Sequence, residues 1–368
     1  MRKKTAIIVC LLLTACMLMV SAVVVAKKPP PKPPEGPQPT GTIFFRYDDG
    51  EGFAVWTMNA DGSQKTKQVI ESGVDFWNYK EIIYEEEVFG MPSRVKHGDH
   101  YWYLRFEGIY DDEGNPETYP DGMGRREIFA VKDDNSAKVK LTDDPTLASR
   151  LDAIWGIGDN SISWGAKRWV EGEELPTDFG IYSADLEWDE GGDLVGITGE
   201  ISWIWDTGFY YYASWGYYYP NMGGHDWSPD ETKIVYNEAS LQDIYIVDLS
   251  ISEENRLTGG TQPQWSPDGS KIAFIEYPSY HIKTINPDGT GEKVIVEPGS
   301  GKAWDEVFHD VSWSPDSKFL VYQCIKTTTK GGIRHQYDIY TIRVEDSVKK
   351  CVTNDLDPEA YKNPLAWR

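Results

Sequence analysis

Two His-Asp pairs, His225-Asp226 and His309-Asp310, are the residues of this 368-residue chain whose types could best assemble a metal site. Imidazole nitrogens and carboxylates together form the ligand set of a divalent cation. Each pair stands just before a Trp-Ser-Pro-Asp tetrapeptide, but in a different register. His309 lies four residues before Trp313, and His225 two before Trp227. The position matching His309 holds Thr261 in another copy and Asn363 near the C-terminus. No full ligand set emerges, so no metal and no cofactor are expected. Both pairs are expected to open onto one mouth of a central channel, and the bland alternative is ordinary polar residues at that wet mouth. His97, His100, His281 and His335 form no cluster in sequence. Gly299-Ser300-Gly301-Lys302 lacks the earlier glycine of a phosphate-binding loop. No Gly-x-Ser-x-Gly surrounds any of the repeated serines. No residue is assigned a catalytic role, and the chain is expected to be non-enzymatic.

A second set of residues could bind rather than react. Residues 201–224 read ISWIWDTGFYYYASWGYYYPNMGG. Trp203, Trp205, Tyr210, Tyr211, Tyr212, Trp215, Tyr217, Tyr218 and Tyr219 are the binding candidates, with His225, Asp226, His309 and Asp310. Flat rings with polar tips suit a sugar ring or a protein surface. The competing reading is a loop that folds back and packs on itself. A further stretch, residues 75–88, is acidic and aromatic and has no evident role.

The elements that hold these residues announce themselves by repetition. Trp-Ser-Pro-Asp starts at Trp227, Trp265 and Trp313, spaced 38 and 48 residues apart. After each comes a short apolar run: Lys233-Ile234-Val235-Tyr236, Lys271-Ile272-Ala273-Phe274, and Lys318-Phe319-Leu320-Val321-Tyr322. A period of roughly 40–50 residues made of short strands marks a propeller blade. In residues 262–299, Pro263-Gln264-Trp265 reads as the inner strand. Ser266-Pro267-Asp268-Gly269 reads as a tight turn in which Pro presets φ and Gly accepts φ > 0. Three further strands follow, through Lys293-Val294-Ile295-Val296. Each indole is expected to pack beside its turn.

Three clear copies span residues 223–353, and weaker ones fill the rest. One has strands at Tyr101, Glu127 and Ala137; another at Ala153, Ser161, Gly180 and Asp193. Thr42-Ile43-Phe44-Phe45-Arg46-Tyr47 reads as a second strand lacking a first, followed by strands at Ala54 and at Gln68-Val69-Ile70. Asn363-Pro364-Leu365-Ala366-Trp367 reads as the missing first strand. The expected fold is all-β: a six-bladed β-propeller of four-stranded antiparallel blades over residues 42–368. The C-terminal strand closes the ring by pairing with the N-terminal blade, which removes two open sheet edges.

These repeats resemble the TolB-type β-propeller repeat, also found in propeller domains of prolyl-oligopeptidase-type and dipeptidyl-peptidase-IV-type proteins. The resemblance implies the fold and not an activity. It implies no peptidase half, since no peptidase domain is expected after the ring. In oligogalacturonate lyases, which are similar propellers, histidines near the channel mouth hold a metal. The register mismatch of His225 and His309 argues against carrying that over.

Arg2-Lys3-Lys4 precedes an uncharged apolar run over residues 5–26. Residues 27–40, KKPPPKPPEGPQPT, form a stiff extended tether. The apolar run fits a secretory signal cleaved after Ala26. At 1.5 Å per residue it also spans a bilayer of roughly 30 Å as a retained anchor. Leu13-Thr14-Ala15-Cys16 resembles a lipidation site as well. All three fates export the ring to the cell surface or periplasm. Cys324 and Cys351 fall on the second and fourth strands of one blade, about 9–10 Å apart and beyond disulfide reach. The net charge is −23, and loss of residues 1–26 would leave −26. That excludes nucleic acid and disfavours anionic membranes and polyanions as partners. The reading is an exported, membrane-tethered, non-catalytic propeller that binds a protein or cell-envelope glycan. Its rivals are a metal-assisted polysaccharide lyase or hydrolase working at the channel mouth, and a structural surface repeat.

Overall fold

The computed structural model describes residues 37–49, 53–67, 94–97, 100–120, 122, 124–132, 136–155, 160–170, 175–212, 217–220, 224–238, 240–299, 306–328 and 334–367. The N-terminal apolar run, most of the tether and the acidic stretch 75–88 lie outside them. No helix among the described residues is long and apolar enough to cross a membrane.

Six four-stranded antiparallel sheets form a six-bladed β-propeller, as the repeats require. Blade 1 contains β1 (Thr42–Asp48), β2 (Phe53–Asn59) and β3 (Thr66–Lys67). Blade 2 is β4 (Arg94–His97), β5 (His100–Gly108), β6 (Arg126–Lys132) and β7 (Lys138–Lys140). Blade 3 is β8 (Leu147–Trp155), β9 (Ser161–Arg168), β10 (Asp178–Trp188) and β11 (Leu194–Asp206). A separate hairpin follows, β12 (Phe209–Tyr212) and β13 (Tyr217–Pro220). Blade 4 is β14 (Gly224–Trp227), β15 (Lys233–Asn237), β16 (Asp243–Asp248) and β17 (Glu253–Gly259). Blade 5 is β18 (Thr261–Trp265), β19 (Ile272–Ile275), β20 (Ile282–Ile285) and β21 (Lys293–Val296). Blade 6 is β22 (Glu306–Trp313), β23 (Phe319–Thr328), β24 (Arg334–Arg343) and β25 (Lys349–Cys351). The last strand, β26 (Lys362–Trp367), is the inner strand of blade 1. Ile43 stands opposite Trp367 and Tyr47 opposite Lys362, so the expected closure is present.

The second strands of blades 4 and 5 are buried along almost their whole length, and that of blade 6 from Phe319 to Cys324, without the alternation of a half-solvated strand. Both faces of a blade are covered by its neighbours, so both faces must be apolar. The core accordingly lies between blades. Val235, Ile244 and Ile246 of blade 4 pack with Trp265, Ile272 and Phe274 of blade 5. Phe319, Val321 and Ile339 of blade 6 pack with Ile43, Phe45 and Trp367 of blade 1.

Each Trp-Ser-Pro-Asp forms the same hydrogen-bonded turn. The buried Ser hydroxyl donates to the Asp carboxylate two residues on, at 2.6 Å in Ser228–Asp230 and 2.7 Å in Ser266–Asp268 and Ser314–Asp316. The same oxygen accepts the N–H of the returning strand, from Lys233, Lys271 and Phe319, each at 2.9 Å. The fifth residue of each turn is left-handed: Glu231 at φ 55°, Gly269 at 73° and Ser317 at 57°. Only blade 5 uses glycine there.

Three boundaries differ from expectation. Blade 2 has an inner strand, β4, whose Arg94-Val95-Lys96-His97 carries too little apolar pattern to read as one. The fourth strand of blade 1 is Thr66–Lys67; the expected Gln68-Val69-Ile70 lies outside the described residues. The outer strand of blade 3 runs on to Asp206, which takes Ile201-Ser202-Trp203-Ile204-Trp205 out of the insertion and into the blade. Gly180 permits that extension. A Cβ there would fall 1.9 Å from the Trp205 carbonyl oxygen.

Candidate functional site

Each described inner strand starts at one face of the ring, and the same face carries every connection from second to third strand. The opposite face carries the tight turns. His225-Asp226 and His309-Asp310 belong to inner strands β14 and β22, with blade 5 between them. The register offset seen in sequence decides their fates. His225 stands two residues before its Trp, where blades 5 and 6 place buried Pro263 and Val311. It is only 3 % exposed, so the expected opening onto the channel mouth is corrected for this residue. Its Nε2 lies 2.8 Å from the Ser163 hydroxyl, which also accepts the Trp227 indole N–H at 2.8 Å. Burial pushes the imidazole pKa down to about 3, so the ring is neutral near pH 7. His225 therefore joins blade 4 to blade 3. Nδ1 has no hydrogen-bond partner among the described residues.

Asp226 is a joint as well. Its Oδ1 accepts the Trp227 N–H at 3.0 Å and its Oδ2 accepts the Trp265 N–H at 2.7 Å, tying blade 4 to blade 5. The Asp310 backbone N–H donates to Gln262 Oε1 at 3.0 Å, and the Gln262 N–H donates to Asn237 Oδ1 at 3.3 Å. Gln262 and Asp310 share a left-handed φ of 53°, each inside an interruption of its inner-strand pairing. His309 is half-buried and lies 6.5 Å, centroid to centroid, from the Tyr280 ring. Its burial also lowers its pKa. Among the described residues no three His, Cys, Asp or Glu side chains converge as a metal ion requires.

The aromatic candidates divide in two. Trp205 belongs to the blade 3–blade 4 core beside Ile181, Ile234 and Val247. Its indole N–H donates to Glu254 Oε1 at 2.9 Å, and that oxygen also accepts the Tyr236 hydroxyl at 2.6 Å. Trp203 is exposed on the outer strand β11. The remaining tyrosines form a hairpin outside the six blades. Tyr210 pairs with Tyr219, Tyr211 with Tyr218 and Tyr212 with Tyr217. Residues 210, 212, 217 and 219 share one face of this ladder by register, and residues 211 and 218 the other. Strand β13 runs alongside β9 and β10 of blade 3. Trp215 lies outside the described residues.

One device in the blades escaped the sequence reading. Buried Glu127 accepts the Thr142 hydroxyl at 2.5 Å, and Thr142 Oγ1 accepts the Ile128 N–H at 2.9 Å. Asp338, Thr353 and Ile339 repeat the arrangement at 3.5 and 2.9 Å. Burial raises the Glu127 pKa, opposed by its bonds from Thr142 and Arg125. The signal was an acid, an Ile beside it and a Thr fifteen residues on. Asp243-Ile244 and Thr258 share that spacing, although Asp243 pairs with Arg256 instead. Cys324 and Cys351 are free thiols, as expected.

No family model matches the chain, and no curated protein does. Solved structures do resemble it. A protein provisionally named TolB from Agrobacterium tumefaciens aligns at 16 % identity over 71 % of this chain and 90 % of its own, with a TM-score of 0.44. An oligogalacturonate lyase from Vibrio parahaemolyticus aligns at 14 % identity over 67 % and 71 %, with a TM-score of 0.41. An oligogalacturonate lyase in complex with manganese aligns at 14 % over 70 % and 71 %, with a TM-score of 0.40. At these values the likeness extends to the propeller fold and no further. The relation to dipeptidyl-peptidase-IV-type propellers is not confirmed.

Proposed function

We propose that this propeller is a non-catalytic binding module, exported and tethered by its N-terminal segment, which holds a protein or cell-envelope glycan. The observation that carries the reading is the tyrosine ladder of β12 and β13. It is an addition to the ring, outside every blade, and pairs Tyr with Tyr at three successive positions. A ladder of flat, amphipathic side chains offers large contact area at low entropic cost. The His-Asp pairs give less support to a lyase or hydrolase, because His225 and Asp226 are engaged in joining blades. Export and tethering rest on Arg2-Lys3-Lys4, the apolar run and the proline-rich segment after it.

The test is capture from native envelope by the full chain and by a variant with Tyr210, Tyr211, Tyr212, Tyr217, Tyr218 and Tyr219 changed to Ser. The proposal expects the variant to fold and capture nothing. A folded variant that captures as before would sink it. An unfolded one would make the hairpin a structural lid.

A further inference from the structure

We propose that the boundary between blades 3 and 4 is an acid-sensitive hinge at the roots of the tyrosine hairpin, which loosens as pH falls and releases what the hairpin holds. The inference rests on the reading of the hairpin as the binding surface, and adds how its hold is regulated. The hairpin lies in the connection from the last strand of blade 3 to the first of blade 4. Each of its roots is pinned to the opposite blade. Trp205, from blade 3, donates its indole N–H to Glu254 of blade 4 at 2.9 Å, on the oxygen that also accepts the Tyr236 hydroxyl at 2.6 Å. His225, from blade 4, meets the Ser163 hydroxyl of blade 3 at 2.8 Å, and Trp227 donates to the same oxygen at 2.8 Å. The two joints cross the boundary in opposite senses, with the hairpin between them in the chain.

The apolar core behind these joints is small. Among the described residues its buried members are four: Ile181, Ile234, Tyr236 and Val247. The boundary between blades 4 and 5 has seven, and that between blades 5 and 6 has twelve. A boundary with fewer buried apolar groups opens more readily, so its polar joints carry more of the cohesion.

A proton breaks one of the two joints. The His225 imidazole is 3 % exposed, and Ser163 satisfies Nε2 of the neutral ring. An imidazolium carries N–H on both nitrogens, and Nδ1 has no acceptor among the described residues. The charged and titratable groups around it do not supply one. β9 places Lys167 on the same face as Ser163, with its ammonium over the Trp169 ring at 5.0 Å. β8, which runs beside β14, carries Arg150 and Asp152 in its sequence. β15 sets Tyr236 opposite His225, and that hydroxyl donates to Glu254. β18 adds no titratable residue. Asp226, next in the chain, accepts the Trp227 and Trp265 N–H groups. Burial alone lowers the pKa of His225, to about 3. In an opened joint water hydrates the ring and restores its ordinary value of about 6.5. The proton therefore binds the open form better. Between these limits each unit of falling pH favours opening about tenfold.

The test is hydrogen exchange of two indole N–H groups in the full chain, corrected for intrinsic rates at pH 7.5 and pH 5. Trp227, bonded to Ser163, reports on the hinge. Trp313 donates to the Gln264 carbonyl at 3.0 Å across the blade 5–blade 6 boundary and is the control. Protection of Trp227 should fall about 30-fold between the two pH values, while that of Trp313 holds. In His225→Gln, Trp227 should be protected equally at both. If that variant does not fold, the contrast between Trp227 and Trp313 in the native sequence decides alone. Equal losses at both indoles would mean that the whole ring loosens, and an unchanged Trp227 that the joint ignores the proton; either result overturns the hinge. Release is read by shifting captured envelope material from pH 7.5 to pH 5. The native chain should let go and His225→Gln should hold. Hairpin-dependent capture that survives pH 5 beside an opened Trp227 would overturn the release and leave the proposed function standing. No hairpin-dependent capture at pH 7.5 would remove the proposed function and the release with it, while the exchange result still decides the hinge.

Discussion

Single residues carry two kinds of information here, and only one was legible beforehand. The Trp-Ser-Pro-Asp turn was, because every member acts on its immediate neighbours: Ser228 on Asp230 and Lys233, with spacing alone fixing the geometry. His225 was not. Its role depends on Ser163, 62 residues away in another blade, and no local pattern specifies that contact. Its burial gives a pH signature. The folded pKa is near 3 against an unfolded value of about 6.5, so between these limits the unfolded chain binds the extra proton. Stability should therefore fall as pH drops from 6.5, by up to about 1.4 kcal/mol per unit for this group. His225→Gln, which retains an amide for Ser163, should flatten that part of the profile in denaturant melts. An unchanged slope between pH 6 and 4.5 would refute the buried, neutral imidazole. Below about pH 3.8 a second loss should follow. The pKa of Asp230 is held down by the Ser228 hydroxyl and that of Asp268 by Ser266, Ser270 and Ser317 against its burial, so each contribution vanishes as pH falls through the depressed value. Trp265 is buried between blades 4 and 5, and Trp265→Ala should cost about 3–5 kcal/mol. A loss under about 1 kcal/mol would mean the indole is not packed as described.

At the scale of elements, the strands were read well where apolar runs and turn residues coincide, as in blades 4 to 6. They were read poorly where a strand extends past its blade's pattern, as β11 does to Asp206, or is mostly polar, as β4 is. The Glu127–Thr142 bond was visible as a fifteen-residue spacing but needed two pairings to interpret. The turns make a direct prediction. Glu231 is exposed and left-handed at φ 55°, where blade 5 has Gly269. Glu231→Gly should stabilise the ring by about 0.5–1 kcal/mol, the left-handed strain relieved less the added freedom of the unfolded chain. Destabilisation in thermal melts would show that the Glu231 side chain contributes more than its backbone costs. The closing strand makes another. Trp367 packs on Phe319 and donates to the Thr40 carbonyl at 2.8 Å, and Lys362 is buried with its ammonium on the Tyr337 and Ala360 carbonyls at 2.9 and 3.1 Å. Deleting residues 363–368 should expose the edge of β1 and lower the Tm by at least about 5 °C. A shift of one or two degrees would mean the ring does not depend on that closure.

Across the whole molecule, the acid excess has a structural component. Eight turn aspartates among the described residues cap one face. The repeats made the ring foreseeable, because a period is a whole-molecule property written locally. Whether the hairpin face binds is the central claim. A photo-crosslinking residue placed at Tyr218, and separately at Asp288 on the turn face, tests it in native envelope with the full chain. The account predicts a discrete adduct from position 218 and none from position 288. An adduct from 288 alone, or from neither position with the chain folded and correctly located, would contradict it.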